Sequence, residues 1–289
     1  MSSVRKIVVC GGNGFLGSRI CKSAVTRGWD VTSISRSGEP VWSSVTASPD
    51  PPSWSHKVSW ERADILKPTS YTPLLKGADY VVHSMGILLE ADYKGVISGR
   101  ESPIAGLRRA FSGTKAGSQN PLQRRPDEDL KPLETDGQLT YELMNRDSAI
   151  VLAQEAAREK ISAFAYISAA GGAPVLPQRY ITTKREAEST IASEYVDMRS
   201  IFIRPGMLWD ASRLITVPMA AATGVGAVFN SVTGGVFGNF LGAAGTKPIK
   251  ADVVAEAVVE ALSDGSVKGP VETKEIEELA TKGWRKGML

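Results

Sequence analysis

The chain has 289 residues, with 34 basic side chains against 31 acidic ones and a formal charge of +3. That length buries one large core, or one core with a small lobe, and the balanced charge, with no basic stripe interleaved with aromatics, argues against a nucleic-acid partner. Two cysteines fit a reducing compartment without a disulfide, and two histidines without ligand-like spacing argue against a catalytic metal.

The first predicted element is an apolar strand that begins near Val4 and runs to Cys10, followed by Gly11-Gly12-Asn13-Gly14-Phe15-Leu16-Gly17 and an amphipathic helix. This is the strand, turn and helix of a dinucleotide site. Gly11 makes the tight turn, Gly14 lets the backbone approach a pyrophosphate, and Gly17 allows close helix packing. The free N–H groups and positive end of the helix hold the phosphates. Cys10 and Cys21 read as small buried hydrophobes. The Gly-x-x-Gly-x-x-Gly spacing resembles the extended and atypical branches of the short-chain dehydrogenase/reductase superfamily.

The second strand, Asp30–Ile34, leads to Ser35-Arg36-Ser37-Gly38. An acidic residue here would accept hydrogen bonds from a free ribose 2′-hydroxyl. A guanidinium between two hydroxyls suits a 2′-phosphate instead, which favours NADP(H) over NAD(H); the alternative is a solvated arginine in a turn. After the third strand, Val58–Ala63, the superfamily resemblance places Asp64 and Ile65 at the adenine. Asp64 is alternatively a cap for the helix beyond it.

A short helix over 70–76 precedes a turn, a buried strand and a glycine exit within 77–86. The exit passes beneath the nicotinamide-side ribose, making Ser84, Met85 and Gly86 candidate contacts, while His83 reads as a core-edge histidine with a satisfied ring nitrogen. The polar segment from about 90 to 137 is longer than an ordinary connection and is a lid, a docking insert or a mobile loop. Helical periodicity resumes through Leu143, Ile150, Val151 and Ala157, and the fifth strand is Ala163–Ser168. Tyr180 and Lys184 then share one face of the next helix at i and i+4. Lysine lowers the phenol's pKa and holds the ribose hydroxyls, so that Tyr180 exchanges a proton with a carbonyl or alcohol. Ser168 would bond the reacting oxygen, and Asn145 matches the place where superfamily members hold a proton-relay water. A sixth strand, Ser200–Ile203, exits through Arg204-Pro205-Gly206, with Pro205 and Gly206 at the cofactor. Asp252, in Pro248-Ile249-Lys250-Ala251-Asp252-Val253-Val254, is expected to cap a helix.

Five strings together carry a closer resemblance: the glycine turn, Ser35–Gly38, His83-Ser84-Met85-Gly86-Ile87-Leu88-Leu89-Glu90, Tyr180-Ile181-Thr182-Thr183-Lys184-Arg185-Glu186-Ala187-Glu188 and Arg204-Pro205-Gly206. They resemble the fungal coenzyme Q (ubiquinone) biosynthesis proteins of the atypical reductase branch, which are similar to the NADPH-carrying accessory subunit of respiratory complex I. The resemblance implies a mitochondrial protein on the matrix side of the inner membrane, working with other proteins of the coenzyme Q biosynthetic complex. It assigns no reaction, and so leaves open a redox enzyme or a scaffold stabilised by its cofactor. No targeting segment is legible ahead of the first strand, which keeps a cytoplasmic location as the alternative.

Between Arg213 and Lys247 the sequence carries no charge. Its glycines, asparagines and serines lower the hydropathy expected of a membrane span. The run is a span, a peripheral apolar surface touching lipid, quinone or a polyprenyl tail, or buried lobe helices. The expected fold is α/β, a doubly wound parallel sheet, with an NADP-binding domain over 1–205 and a smaller lobe over 206–289. A soluble sugar-nucleotide or small-carbonyl oxidoreductase is the remaining alternative.

Overall fold

The computed structural model describes residues 4–87, 120–125, 128–132, 139–171, 178–210 and 248–288. Most of the 90–137 insert and the whole of 211–247 lie outside the described residues.

Seven strands form one parallel sheet: β1 (Lys6–Cys10), β2 (Asp30–Ser35), β3 (Val58–Arg62), β4 (Tyr80–His83), β5 (Ala163–Ile167), β6 (Arg199–Ile203) and a late strand at Gly269–Val271. Their spatial order is third, second, first, fourth, fifth, sixth and last strand. β1 thus lies between β2 and β4, in register with both. The strand order reverses there, which opens a ligand crevice at the strands' carboxyl ends. A separate two-stranded parallel pair joins β7 (Leu208–Trp209) to β8 (Ile249–Lys250). The late strand is therefore β9.

Strand alternation sorts the core into two layers. Ile7 and Val9 of β1, with Ala163 and Ala165 of β5, face α1 (Phe15–Thr26), α6 (Ala251–Ser263) and α7 (Thr273–Gly287). Val8 and Cys10, with Phe164 and Tyr166, face α3 (Pro68–Leu75), α4 (Ser148–Arg158) and α5 (Gln178–Glu194). The short α2 (Trp42–Val45) is the remaining α-helix among the described residues. Cys10 and Cys21 are free and buried, and desolvation pushes both thiols up. Among the described residues no helix is long and apolar enough to cross a membrane.

Three local expectations differ from the structure, and one strand goes beyond them. The helix expected through Leu143 begins as a π-helical stretch, Glu142–Asp147, before α4. Asp252 is not a cap: Lys250 holds that position without a side-chain bond, and Asp252 sits in the first turn, 3.7 Å from Arg19. Asp64 does not cap α3 either, because Lys67 occupies that position while the Asp64 carboxylate accepts from the Leu66 N–H at 3.1 Å, closing a local turn. Finally, β9 pairs with β6 at the sheet edge, where Pro270 needs no ladder donor. Beyond 206, then, the described elements α6, β9 and α7 extend the main sheet and its core.

Two ionic clusters fasten this frame. The buried Glu260 of α6 receives Arg27 at 3.1 Å and Lys286 at 2.6 Å, joining α1, α6 and α7. On the opposite layer, Arg124 and Glu155 form a buried pair at 2.9 Å, which docks the described end of the insert on α4. Leu130, donating from its N–H to the Leu66 carbonyl at 2.8 Å, seats the same segment against Leu143 and Val151.

Candidate functional site

The glycine turn is built by exclusion. Gly11 has φ of +84°, and a Cβ there would lie 2.7 Å from Met85 Cγ and 3.0 Å from Ser84 Oγ. A Cβ on Gly17 would overlap the Gly11 carbonyl, so α1 rests directly on the turn. At Gly14 the added Cβ would meet only the Gly11 oxygen, at 3.1 Å. Gly14 is also the N-cap of α1, with no side-chain cap and no acidic residue in the first turn. An open glycine at an uncapped helix start fits the pyrophosphate of a dinucleotide.

Neighbouring residues close the turn. The Ser84 hydroxyl donates to the Cys10 carbonyl at 2.8 Å, binding the exit of β4 to the end of β1. Asn13 Nδ2 donates to Ser37 Oγ at 2.7 Å, linking the glycine turn to the exit of β2. Ser35 is buried and its hydroxyl donates to the Gly38 carbonyl at 2.8 Å, so its proton serves its own turn and does not point outward. Arg36 and Ser37 are exposed. Leu16 and Ile65 point into the two core layers, which leaves their main chains to offer a ligand. Above Phe15 lies the Arg19 guanidinium, 4.4 Å from the ring centroid and paired with Asp210 at 2.9 Å.

The second half of the site gathers at the ends of β4 and β5. Lys184 is buried and donates to the Ile167 carbonyl at 2.9 Å. Its ammonium lies 5.7 Å from the Tyr180 ring centroid and 5.1 Å from that of Tyr166. The main chain at Gly86 passes beside it: a Cβ there would be 3.7 Å from Lys184 Nζ and 3.0 Å from Asn145 Oδ1. Tyr180 packs edge-on to Tyr141, with centroids 5.8 Å apart.

Electrostatics here depart from the expected scheme. Burial pushes Tyr180 up to about 12, and the cation that opposes the rise is Arg185. Burial also pushes Lys184 down to about 7, against the pull of Glu188. Desolvation outweighs the neighbouring charges in both cases. The phenol holds its proton at neutral pH and is set up to donate.

Ser168 and Asn145 are near but engaged. The Ser168 oxygen accepts from Arg185 at 3.0 Å. Arg185 also donates to the carbonyls of Ala169 and Ala170 at 2.7 and 3.2 Å, fixing the exit of β5. Asn145 grips Ile87, accepting from its N–H at 2.9 Å and donating to its carbonyl at 3.2 Å. The Asn145 carbonyl accepts the Tyr166 hydroxyl at 2.5 Å. Pro205 accepts from the Ala170 N–H at 2.9 Å, with Gly206 half-buried beside it. Glu188, buried, joins Arg185 at 2.6 Å and also pairs with Arg204, which reaches Glu272 at 2.7 Å.

His83 is fully buried with one satisfied nitrogen. Nε2 lies 2.9 Å from Ser148 Oγ, Nδ1 has no hydrogen-bond partner among the described residues, and burial beside Lys184 lowers the ring to about 3. Sequence reasoning missed Arg185 and Tyr166. Arg185 follows the motif lysine directly, but only the course of the chain after β5 reveals that it reaches Ser168, Ala169 and Ala170 as well as Glu188.

Residues 7–93 match the model of the NAD dependent epimerase/dehydratase family. The chain is 40% identical over 225 residues to MIOREX complex component 2 of Saccharomyces cerevisiae, covering 73% of this chain and 75% of that one. Among solved structures it is similar to the UDP-glucuronic acid 4-epimerase of Bacillus cereus in complex with NAD, with a TM-score of 0.55 and 15% identity over 92% of this chain and 76% of that one. Vestitone reductase from alfalfa gives a TM-score of 0.52 at 16% identity, over 93% and 76% of the two chains. At these identities the two structures bear on the fold alone.

Proposed function

The chain belongs to the same family as MIOREX complex component 2, and its residues 7–93 match the NAD dependent epimerase/dehydratase family; from that premise we propose that it is an NADP(H)-binding, reductase-like protein of ubiquinone biosynthesis. In this reading it works within a multi-protein assembly on the matrix side of the mitochondrial inner membrane. Assembly is supported by the relative that is named as a complex component. The ubiquinone pathway is supported by the resemblance of the five sequence strings.

The observation that carries the chemistry is the pairing of a protonated Tyr180 with a buried Lys184 beside Gly86. Bound NADPH supplies hydride chemistry. The chain's part is to place Tyr180 as the acid that protonates a substrate oxygen, while Lys184 holds ribose hydroxyls through its remaining N–H donors. Ser168 keeps its hydroxyl proton for the same substrate oxygen, because Arg185 donates to it and does not accept. Asn145 holds the β4 exit in place through Ile87, and so sets the floor of the crevice. The apolar run 213–247 is assigned to the quinone or lipid contact.

One observation favours a second reading, a cofactor-stabilised scaffold without turnover. Among the described residues, no hydrogen bond joins Tyr180, Lys184 and Ser168 to one another. Mass spectrometry of the natively purified protein, alongside ubiquinone measurement in cells lacking it, tests the assignment. Co-purified NADP(H) with other ubiquinone-pathway proteins, and depleted ubiquinone, are expected. Normal ubiquinone together with an unrelated set of partners would sink it.

A further inference from the structure

We propose that Arg62 is a second cationic contact for the 2′-phosphate of NADP(H), acting with Arg36. The inference rests on the proposed NADP(H) binding and concerns which residues create the preference.

Parallel pairing sets Arg62, the last residue of β3, opposite Ser35, the last residue of β2. The Ala63 N–H continues the ladder to the Ser35 carbonyl at 3.0 Å. The two strands therefore end side by side at the carboxyl edge of the sheet, where the adenosine half of a dinucleotide binds. Gly38 takes φ of +77° there, and a Cβ on it would lie 3.2 Å from Arg62 Cγ and 3.5 Å from Arg62 Nε. The Arg62 stem is laid against the turn that carries Arg36 and Ser37, in the space a side chain at 38 would need.

The carboxylates near this turn do not neutralise either arginine. Glu39 accepts from the Trp42 indole at 3.0 Å, and Asp64 accepts from the Leu66 N–H at 3.1 Å. Glu61 lies on the opposite face of the strand from Arg62 by alternation. Among the described residues neither Arg36 nor Arg62 forms an ion pair, and both are exposed. Arg62 reaches the turn from which Arg36 projects, and a phosphate monoester bound there supplies a dianion with acceptors for both guanidiniums. Ser37, whose oxygen accepts from Asn13, keeps its own proton for a third bond to the phosphate.

The test measures binding of 2′,5′-ADP and 5′-AMP, and of NADPH and NADH, by calorimetry on the full chain. These probes differ within each pair by the 2′-phosphate, and none requires turnover. Arg62→Gln is expected to weaken 2′,5′-ADP and NADPH about ten-fold, to leave 5′-AMP and NADH unchanged, and to leave the melting curve in place. Arg62→Lys should restore part of the loss. Equal weakening of both members of each pair would overturn the proposal by making Arg62 an adenine contact, and so would no change in any of the four. Equal affinity of the unmodified protein for NADPH and NADH would instead defeat the NADP(H) reading itself, and is distinguishable because it appears before any substitution.

Discussion

The Lys184 ammonium donates to the main-chain carbonyl of Ile167 at 2.9 Å, fastening the helix of the tyrosine–lysine pair to the end of the central strand β5. Burial lowers this group to about 7 from its ordinary 10.5. A lysine depressed in the folded state binds fewer protons than in the unfolded chain between those values. Stability of the cofactor-free protein should therefore rise with pH from about 7 towards 10. Lys184→Met should flatten that rise and raise the melting temperature at pH 7 by roughly 2–4 °C for each kcal/mol gained. Thermal melts across this range check the sign.

Burial raises Tyr180 to about 12, so the role proposed for it at neutral pH is that of a donor. Tyr180→Phe removes the hydroxyl and little else. It should abolish turnover, read as ubiquinone production in cells, with NADPH affinity nearly intact. Lys184→Ala should damage both, because the ammonium serves the ribose as well. Normal ubiquinone production in both variants would favour the scaffold.

Two glycines in one turn should respond differently to alanine. At Gly17 the new methyl would overlap the Gly11 carbonyl, and the expected loss is about 1–3 kcal/mol of stability. At Gly14 the nearest atom, the Gly11 oxygen, stands 3.1 Å away, a tight contact that a shift of a few tenths of an ångström relieves, so Gly14→Ala should lose less stability than Gly17→Ala. It should nevertheless weaken NADPH binding, since the methyl stands where the pyrophosphate approaches. Paired melts and titrations separate the two effects.

The Arg124–Glu155 pair is buried on both sides, with Arg158 also reaching Glu155 at 2.8 Å. Removing one partner leaves a buried charge without its counterpart. Glu155→Leu should cost about 3–5 kcal/mol, and combining it with Arg124→Met should recover much of that loss. A double-mutant cycle by denaturant unfolding reads the coupling. Additive losses would mean that the pair does not hold the insert on α4.

The run from Arg213 to Lys247 is assigned to a peripheral apolar contact, which binds by area at about 25 cal/mol per Å² and resists salt. Phe237→Asp with Phe240→Asp should release the protein from membranes or its assembly while the nucleotide domain stays folded. Pelleting after high-salt and alkaline carbonate washes decides: retention through carbonate means a span, and failure to pellet with partners present means no such surface.

Local spacing in the sequence was enough to determine several features of this protein. The glycines at 11, 14 and 17 could only be a turn feeding a helix. Near-continuous apolar runs in β1, β4 and β5 called for a sheet covered on both faces. Tyr180 and Lys184 had to share a helix face, since four residues make about one turn. Tertiary structure decided the partners of those residues. Arg185 reaches Ser168, Asn145 grips Ile87 across 58 positions, and Arg62 comes to lie against Gly38. Each contact depends on how strands far apart in sequence align, and no periodicity records that alignment. The same cause hid β9, whose three residues, Gly269, Pro270 and Val271, form a strand only because β6 offers an open edge. Desolvation acted likewise: sequence pairs the lysine with the tyrosine, but only burial makes the phenol hold its proton and the ammonium loosen its own.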